Sequence, residues 1–208
     1  MKEDVLEQIV DDYLQSQGYF TRHNIKFRPH PTRADYISRE DAVASDIDVI
    51  GVHPKQRGRS RVIAVSCKSW QTGFDPAARL AELRGEKKNP KRATWRSFRE
   101  LWIPKWSDAF IDAIEDITGQ RTFDYRIAVT RLRGNGNPND WANDPTIKQN
   151  LPGCKIGFLT LPDMWNTMTA GLGTTPAPSE IGRLAQLLIA SNIINQPPKQ
   201  VPAQSRPR

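Results

Sequence analysis

Residues 45–70 read SDIDVIGVHPKQRGRSRVIAVSCKSW. Two runs rich in branched aliphatic side chains, residues 47–52 and 61–68, flank a polar turn at 53–60 that contains Pro54 and Gly58. Branched side chains suit a pleated strand, and a short polar linker with Pro and Gly suits a chain reversal, so the stretch predicts an antiparallel hairpin. Side chains alternate faces along a strand, which puts Asp46 and Asp48 on one face of the first strand and Ser66 and Lys68 on one face of the second. Once the strands pair, Asp48 and Lys68 converge on one point. A carboxylate able to hold a divalent cation, beside an ammonium able to steady developing charge, suits phosphodiester hydrolysis.

Upstream of the hairpin, Val5, Leu6, Ile9, Val10, Tyr13 and Leu14 recur at helical spacing. They predict an amphipathic helix over residues 2–17, stopped by Gly18. Glu7 lies on the edge of its apolar stripe, three residues before Val10 and seven before Leu14, from where it can reach the sheet. A strand at 19–27 and a loop at 28–44 complete this half. Downstream, 74–91 is polar with a short helix at 76–83, and 94–118 reads as a longer helix that Pro104 should kink or break. Strands are expected at 123–130 and 155–161, a loop at RGNGNPND (133–140), and a short helix at 162–170. TTPAP is a linker, Ser179 is the expected N-cap of a last helix, and Ile181, Leu184, Leu188 and Ile189 are its apolar side. The fold class is therefore α/β, a three-layer sandwich around a central mixed sheet. Residues 1–172 are expected to form the domain and 173–196 a linker with a C-terminal helix. The Pro-rich, basic stretch 197–208 lacks large aliphatics and is expected to be disordered.

These parts, in this order, resemble the PD-(D/E)XK nuclease superfamily, in the branch containing archaeal Holliday junction resolvases and Mrr-like restriction endonucleases. The resemblance covers roughly the first half of the chain. Its marks are the Glu in LEQIVDDYLQSQGY (6–19), the acidic strand SDIDVIGV (45–52) and the lysine strand VIAVSCKSW (62–70). It implies a restriction-endonuclease-like fold, Asp48 as metal-binding aspartate, Lys68 as catalytic lysine and Glu7 as supporting acid. It also implies the carbonyl of Cys67 as a metal ligand, with Mg²⁺ or Mn²⁺ as cofactor. The sequence departs from the pattern at Ser66, two before the lysine, where Glu, Asp or Gln is usual. A neutral hydroxyl is a poor Mg²⁺ ligand, so Asp46 is the candidate to supply the missing charge. Two functions follow. One is a divalent-metal-dependent DNA endonuclease using Glu7, Asp48, Ser66 and Lys68. The other is a degenerate nuclease fold that binds nucleic acid without cutting it.

Composition points to the same partner. The chain of 208 residues carries a net charge of +7 with a pI near 9.6. Between Arg84 and Arg99, seven basic residues stand against Glu86 alone, so most of the excess sits in one segment. Lys87, Lys88, Lys91, Arg92, Arg96 and Arg99 are the expected phosphate contacts, on DNA for preference. Trp95, Phe98 and Trp102, spaced helically among them, are expected to be core rather than stacking platforms. Lys55, Arg57 and Arg59 form a weaker second patch. His23, His30 and His53 show no ligand spacing, and GNGNP lacks the GK[ST] of a phosphate-binding loop. The two cysteines, far apart, suggest no disulfide framework and a reducing, cytoplasmic setting. The acidic amphipathic start is no signal peptide, and no apolar run approaches the ~20 residues of a membrane span. Cutting both strands of a duplex requires two sites, so a homodimer is expected.

Overall fold

A computed structural model of the chain describes residues 4–87, 89, 93–170, 172, 173 and 175–195. Five strands form one mixed sheet in the order β1-β2-β3-β4-β5. β1 (Phe20–Phe27), β2 (Ser45–Val52) and β3 (Val62–Lys68) pair antiparallel, while β4 (Asp124–Val129) and β5 (Lys155–Thr160) continue parallel to β3. The hairpin registers Val49 on Val65 and Val52 on Val62, and the parallel step sets Lys68 beside Val129. Val62, Ile63, Ala64 and Val65 are buried in succession, as a strand must be when both faces of its sheet are covered.

Helices supply both covers. On one face, α1 (Val5–Ser16) brings Leu6, Ile9, Val10 and Leu14 onto Val49, Ile63, Val65 and Ala128. Asp4 caps this helix by accepting the Leu6 N–H at 3.0 Å. On the other face, the segment from 74 to 151 contributes α3 (Pro76–Leu83), α4 (Arg99–Trp102), α5 (Pro104–Thr118), α6 (Asn139–Asn143) and α7 (Pro145–Asn150). Phe74, Phe98, Leu101, Trp106, Phe110 and Trp141 pack there on Ile50, Val62, Ala64, Tyr125 and Ile127. On the first face, α8 (Leu161–Ala170) and α9 (Glu180–Ala190) both pack on α1.

Four details differ from the sequence reading. The expected loop 28–44 contains a helical turn, α2 (Ser38–Asp41), whose Asp41 is fully buried. Pro104 does not kink a long helix; it begins α5 at the first helical position, where its missing N–H costs nothing. The preceding Ile103 is extended, as a residue before proline tends to be, so α4 and a 3₁₀ turn at Thr94–Ser97 are separate pieces. α6 and α7 fold where no helix was predicted; Asp144, which caps α7 through the N–H groups of Thr146 and Ile147, was the readable signal. In α9, Ser179 does cap the helix through the Gly182 N–H. Ile181 packs on the core, with Leu188 and Ile189 half-buried as expected, but the fully buried residue between them is Ala185, and Leu184 is exposed.

Candidate active site

The hairpin delivers its polar residues to the end of the sheet where β3 stops. Ser66 and Lys68 continue the row of Val62 and Ala64, which faces the aromatic layer. Lys68 Nζ donates to Ser66 Oγ at 2.8 Å and stands 5.6 Å from the centre of the Phe98 ring. Asp48 Oδ2 accepts the backbone N–H of Cys67 at 2.6 Å. Burial pushes the Asp48 carboxyl above its ordinary pKa, while the Lys68 charge, the Cys67 N–H and the Ser66 hydroxyl pull the other way.

The strict alternation expected of β2 fails at Asp48. Ile47 and Ile50, three apart, are both buried in the aromatic-side core, and Val49 is in the other. Opposite this point Asn24 adopts a left-handed backbone, φ 53°, and the ladder passes from His23↔Val49 to Ile25↔Ile47. Asp46 and Asp48 therefore do not share one row. Asp46 faces Lys26 across the β1–β2 ladder and is ion-paired with it. Its charge still raises the Asp48 pKa, as a minor contribution.

A carboxylate absent from the sequence reading enters the cluster from α4. Glu100 is 6% exposed and accepts a hydrogen bond from the Tyr125 hydroxyl, 2.5 Å from its Oε1. Burial drives the Glu100 carboxyl up, Lys68 opposes that, and the Asp48 charge adds to it. The Tyr125 phenol is pushed well up, by burial first and then by Glu100, with Ser66 opposing the shift. Asp48, Ser66, Lys68, Glu100 and Tyr125 are thus one electrostatically coupled group. Glu100 had a faint signal in the sequence: it is an isolated acid between Phe98 and Trp102, in a run otherwise basic and aromatic.

The remaining candidates adjoin the cluster from the other face of the sheet. Glu7 is on α1, which packs on the face of Val65 and Cys67, the side away from Ser66 and Lys68. It acts on the Cys67 thiol, which burial raises well above the ordinary value with Asp48 and Glu7 adding to the shift. The resemblance implies the backbone carbonyl of Cys67, not this thiol, as a ligand, and the N–H of the same residue donates to Asp48. Among the described residues, no three His, Cys, Asp or Glu side chains stand close enough to hold a metal ion between them. Asp48 and Glu100 are two, and Mg²⁺ is commonly held by one or two carboxylates with water and substrate phosphate completing its shell. Both are desolvated, and the Asp48 charge adds slightly to the rise of the Glu100 carboxyl, which a dication held by them would relieve. A groove of about 640 Å³ lined by Asp11, Asp12, Trp165 and Glu180 lies at α1, α8 and α9 and shares no residue with this cluster.

The basic segment is partly committed to the fold. Arg84 pairs with the buried Asp144 at 3.0 Å. Arg99 lies 4.6 Å from the Trp106 ring and 5.9 Å from that of Trp95, and Arg96 is 5.4 Å from Trp95. Phe98 is buried, with Trp95 and Trp102 packed against the same core. Lys87 and Arg96 are exposed, and Lys88, Lys91 and Arg92 lie outside the described residues. Cys67 and Cys154 are free thiols. No helix among the described residues is long and apolar enough to cross a membrane. No protein-family model, curated protein or solved structure matches this chain.

Proposed function

We propose that this protein is a divalent-metal-dependent DNA endonuclease with a restriction-endonuclease-like fold. One observation carries the reading: two desolvated carboxylates, Asp48 and Glu100, are coupled to the Lys68 ammonium at the end of the sheet. Asp48 and Glu100 would hold Mg²⁺ or Mn²⁺, which when bound polarises a phosphoryl oxygen and lowers the pKa of its water. Lys68 offsets the carboxylates and presents positive charge to the attacked phosphate. Ser66 steadies that ammonium by accepting a hydrogen bond, and Tyr125 fixes the Glu100 carboxylate. Ser66 is then a positioning residue, and the acid usual at its place is supplied by α4. The net charge of +7 suits a polyanionic substrate, the free thiols suit the cytoplasm, and a homodimer would serve to cut both strands.

The test is incubation of the purified protein with duplex and branched DNA, and with RNA, under Mg²⁺, Mn²⁺ or EDTA. Cleavage of DNA with either metal and none with EDTA is expected, and Asp48→Asn, Glu100→Gln and Lys68→Ala should each slow it by about 100-fold or more. Full activity in Lys68→Ala would mean a different active site. A second reading, a nuclease fold that binds DNA without cutting, is favoured by the lack of a three-ligand cluster among the described residues. Inactivity with every metal and substrate, with binding intact, would establish it instead.

A further inference from the structure

Beyond Val129, the neighbour of Lys68, the chain does not turn away at once. Leu132 makes a parallel bridge with Phe74. The Phe74 N–H donates to the Arg131 carbonyl and the Arg133 N–H to the Phe74 carbonyl, each at 2.8 Å. Leu132 packs into the aromatic core, so in this extended segment Arg131 and Arg133 point the opposite way, about 7 Å apart along the chain. Both are exposed.

This segment is tied to the proposed site. The Trp70 N–H bonds to the Lys68 carbonyl, the Gly73 N–H to the Trp70 carbonyl, and Thr130 Oγ1 donates to that same carbonyl at 2.6 Å. Gly73 has φ +82° and touches Arg131 so closely that a Cβ there would fall 2.9 Å from Arg131 Cγ, so only glycine fits the turn. The backbone that carries the two arginines is therefore tied to that of Lys68. Among the described residues neither is in an ion pair. One carboxylate lies near, Asp75 against Gly134, and it already accepts the Ala78 N–H as the cap of α3.

Two like charges side by side on an exposed segment repel one another, and an anion spanning both relieves that repulsion. Guanidinium groups suit phosphate oxygens in particular. We infer that Arg131 and Arg133 form a ledge that seats successive phosphates of one DNA strand and leads it to the Asp48–Lys68–Glu100 cluster. The inference rests on the nucleic-acid reading of that cluster, and it places a contact outside the 84–99 segment.

Binding in EDTA, where no cleavage can occur, tests the ledge separately from catalysis. Fluorescence anisotropy with a labelled DNA duplex is measured across a salt series for wild type, R131Q/R133Q, R131K/R133K and K148Q/K155Q. The last pair changes two exposed lysines, on α7 and at the start of β5, that belong to neither basic patch. R131Q/R133Q should lower the magnitude of the log–log salt slope by about 1.8, from two contacts of about 0.9 each. R131K/R133K and K148Q/K155Q should keep the wild-type slope. If R131Q/R133Q keeps it too, or if K148Q/K155Q loses as much, the ledge is wrong while the functional reading stands. If the wild type binds no DNA at all, both fall together.

Discussion

At the scale of single residues, the site depends on where its second acid sits. Ser66 takes a place where a carboxylate is usual in the resembled family, yet the space beside Lys68 is not without one, because Glu100 reaches it from α4. Compensation should expose this exchange. For the nuclease proposed above, Glu100→Gln should lose cleavage, and adding Ser66→Glu to it should recover at least about tenfold of the rate by restoring a carboxylate at the proposed metal site. Ser66→Glu alone should instead crowd three acids into a desolvated space and lower stability. Rates and thermal melts of the four proteins check this; no recovery in the double variant would remove Glu100 from the proposed metal site. The raised pKa values of Asp48 and Glu100 set a pH dependence of definite sign. A metal ligand must shed its proton, so cleavage should climb with pH through a window above the ordinary carboxylate range. Stability of the metal-free protein should go the other way. A carboxyl whose folded pKa exceeds its unfolded one contributes stability at low pH and loses it as pH rises through the folded value. Glu100→Gln should flatten both profiles, as pH–rate curves and pH-dependent melts would reveal.

At the scale of elements, the segment leading into β2 is pinned by one buried ion pair. Asp41, at the end of α2, accepts Lys105 Nζ at 2.6 Å, the Trp106 indole N–H at 3.0 Å and the Ile37 N–H at 2.8 Å. Burial alone would raise its carboxyl, but these three donors hold it below the ordinary value. Lys105 and Trp106 lie in the first turn of α5, so the pair fixes that helix to the approach of β2, and through β2 to Asp48. Removing one partner of a buried pair leaves the other charge uncompensated, at a cost of about 3–5 kcal/mol. Asp41→Ala should show that loss in urea unfolding, and Asp41→Ala with Lys105→Met should regain much of it. Because its folded pKa is depressed, the contribution of Asp41 is present above the unfolded pKa and lost as pH falls through the folded one. A single variant as stable as wild type would show that the approach to β2 is held by other contacts. The chemistry of such a pair is invisible in a Pro-containing stretch that reads as loop.

At the scale of the whole molecule, the charge excess is spread over more than one role. Arg84 and Arg99 serve the fold, through Asp144 and two tryptophan rings. Lys87 is exposed, and with Lys88, Lys91 and Arg92 it forms the densest part of the basic run. Changing all four to Gln should weaken DNA binding and reduce the magnitude of the salt slope by as much as about 3.6, if each meets one phosphate. Titrations at several salt concentrations measure this. An unchanged slope would assign the interface to other cations.

The sequence by itself determined the hairpin, the first helix, the order of the strands and the α/β class. Those features follow from patterns of two or 3.6 residues, which are written within a few turns of chain and need no distant partner. It also placed Asp48, Ser66 and Lys68 together, because a hairpin makes close neighbours in space of close neighbours in sequence. Only the tertiary structure decided that Glu100 completes the cluster, that Asp46 leaves it, and that Glu7 belongs to the other face. The meeting of Glu100 with Lys68 depends on how α4 packs against the sheet, and that packing is fixed by a core of aromatic residues drawn from Phe74 to Trp141. The separation of Asp46 from Asp48 depends on a break in alternation shared by β1 and β2. Neither has a local period, so each appears only when the layers are assembled.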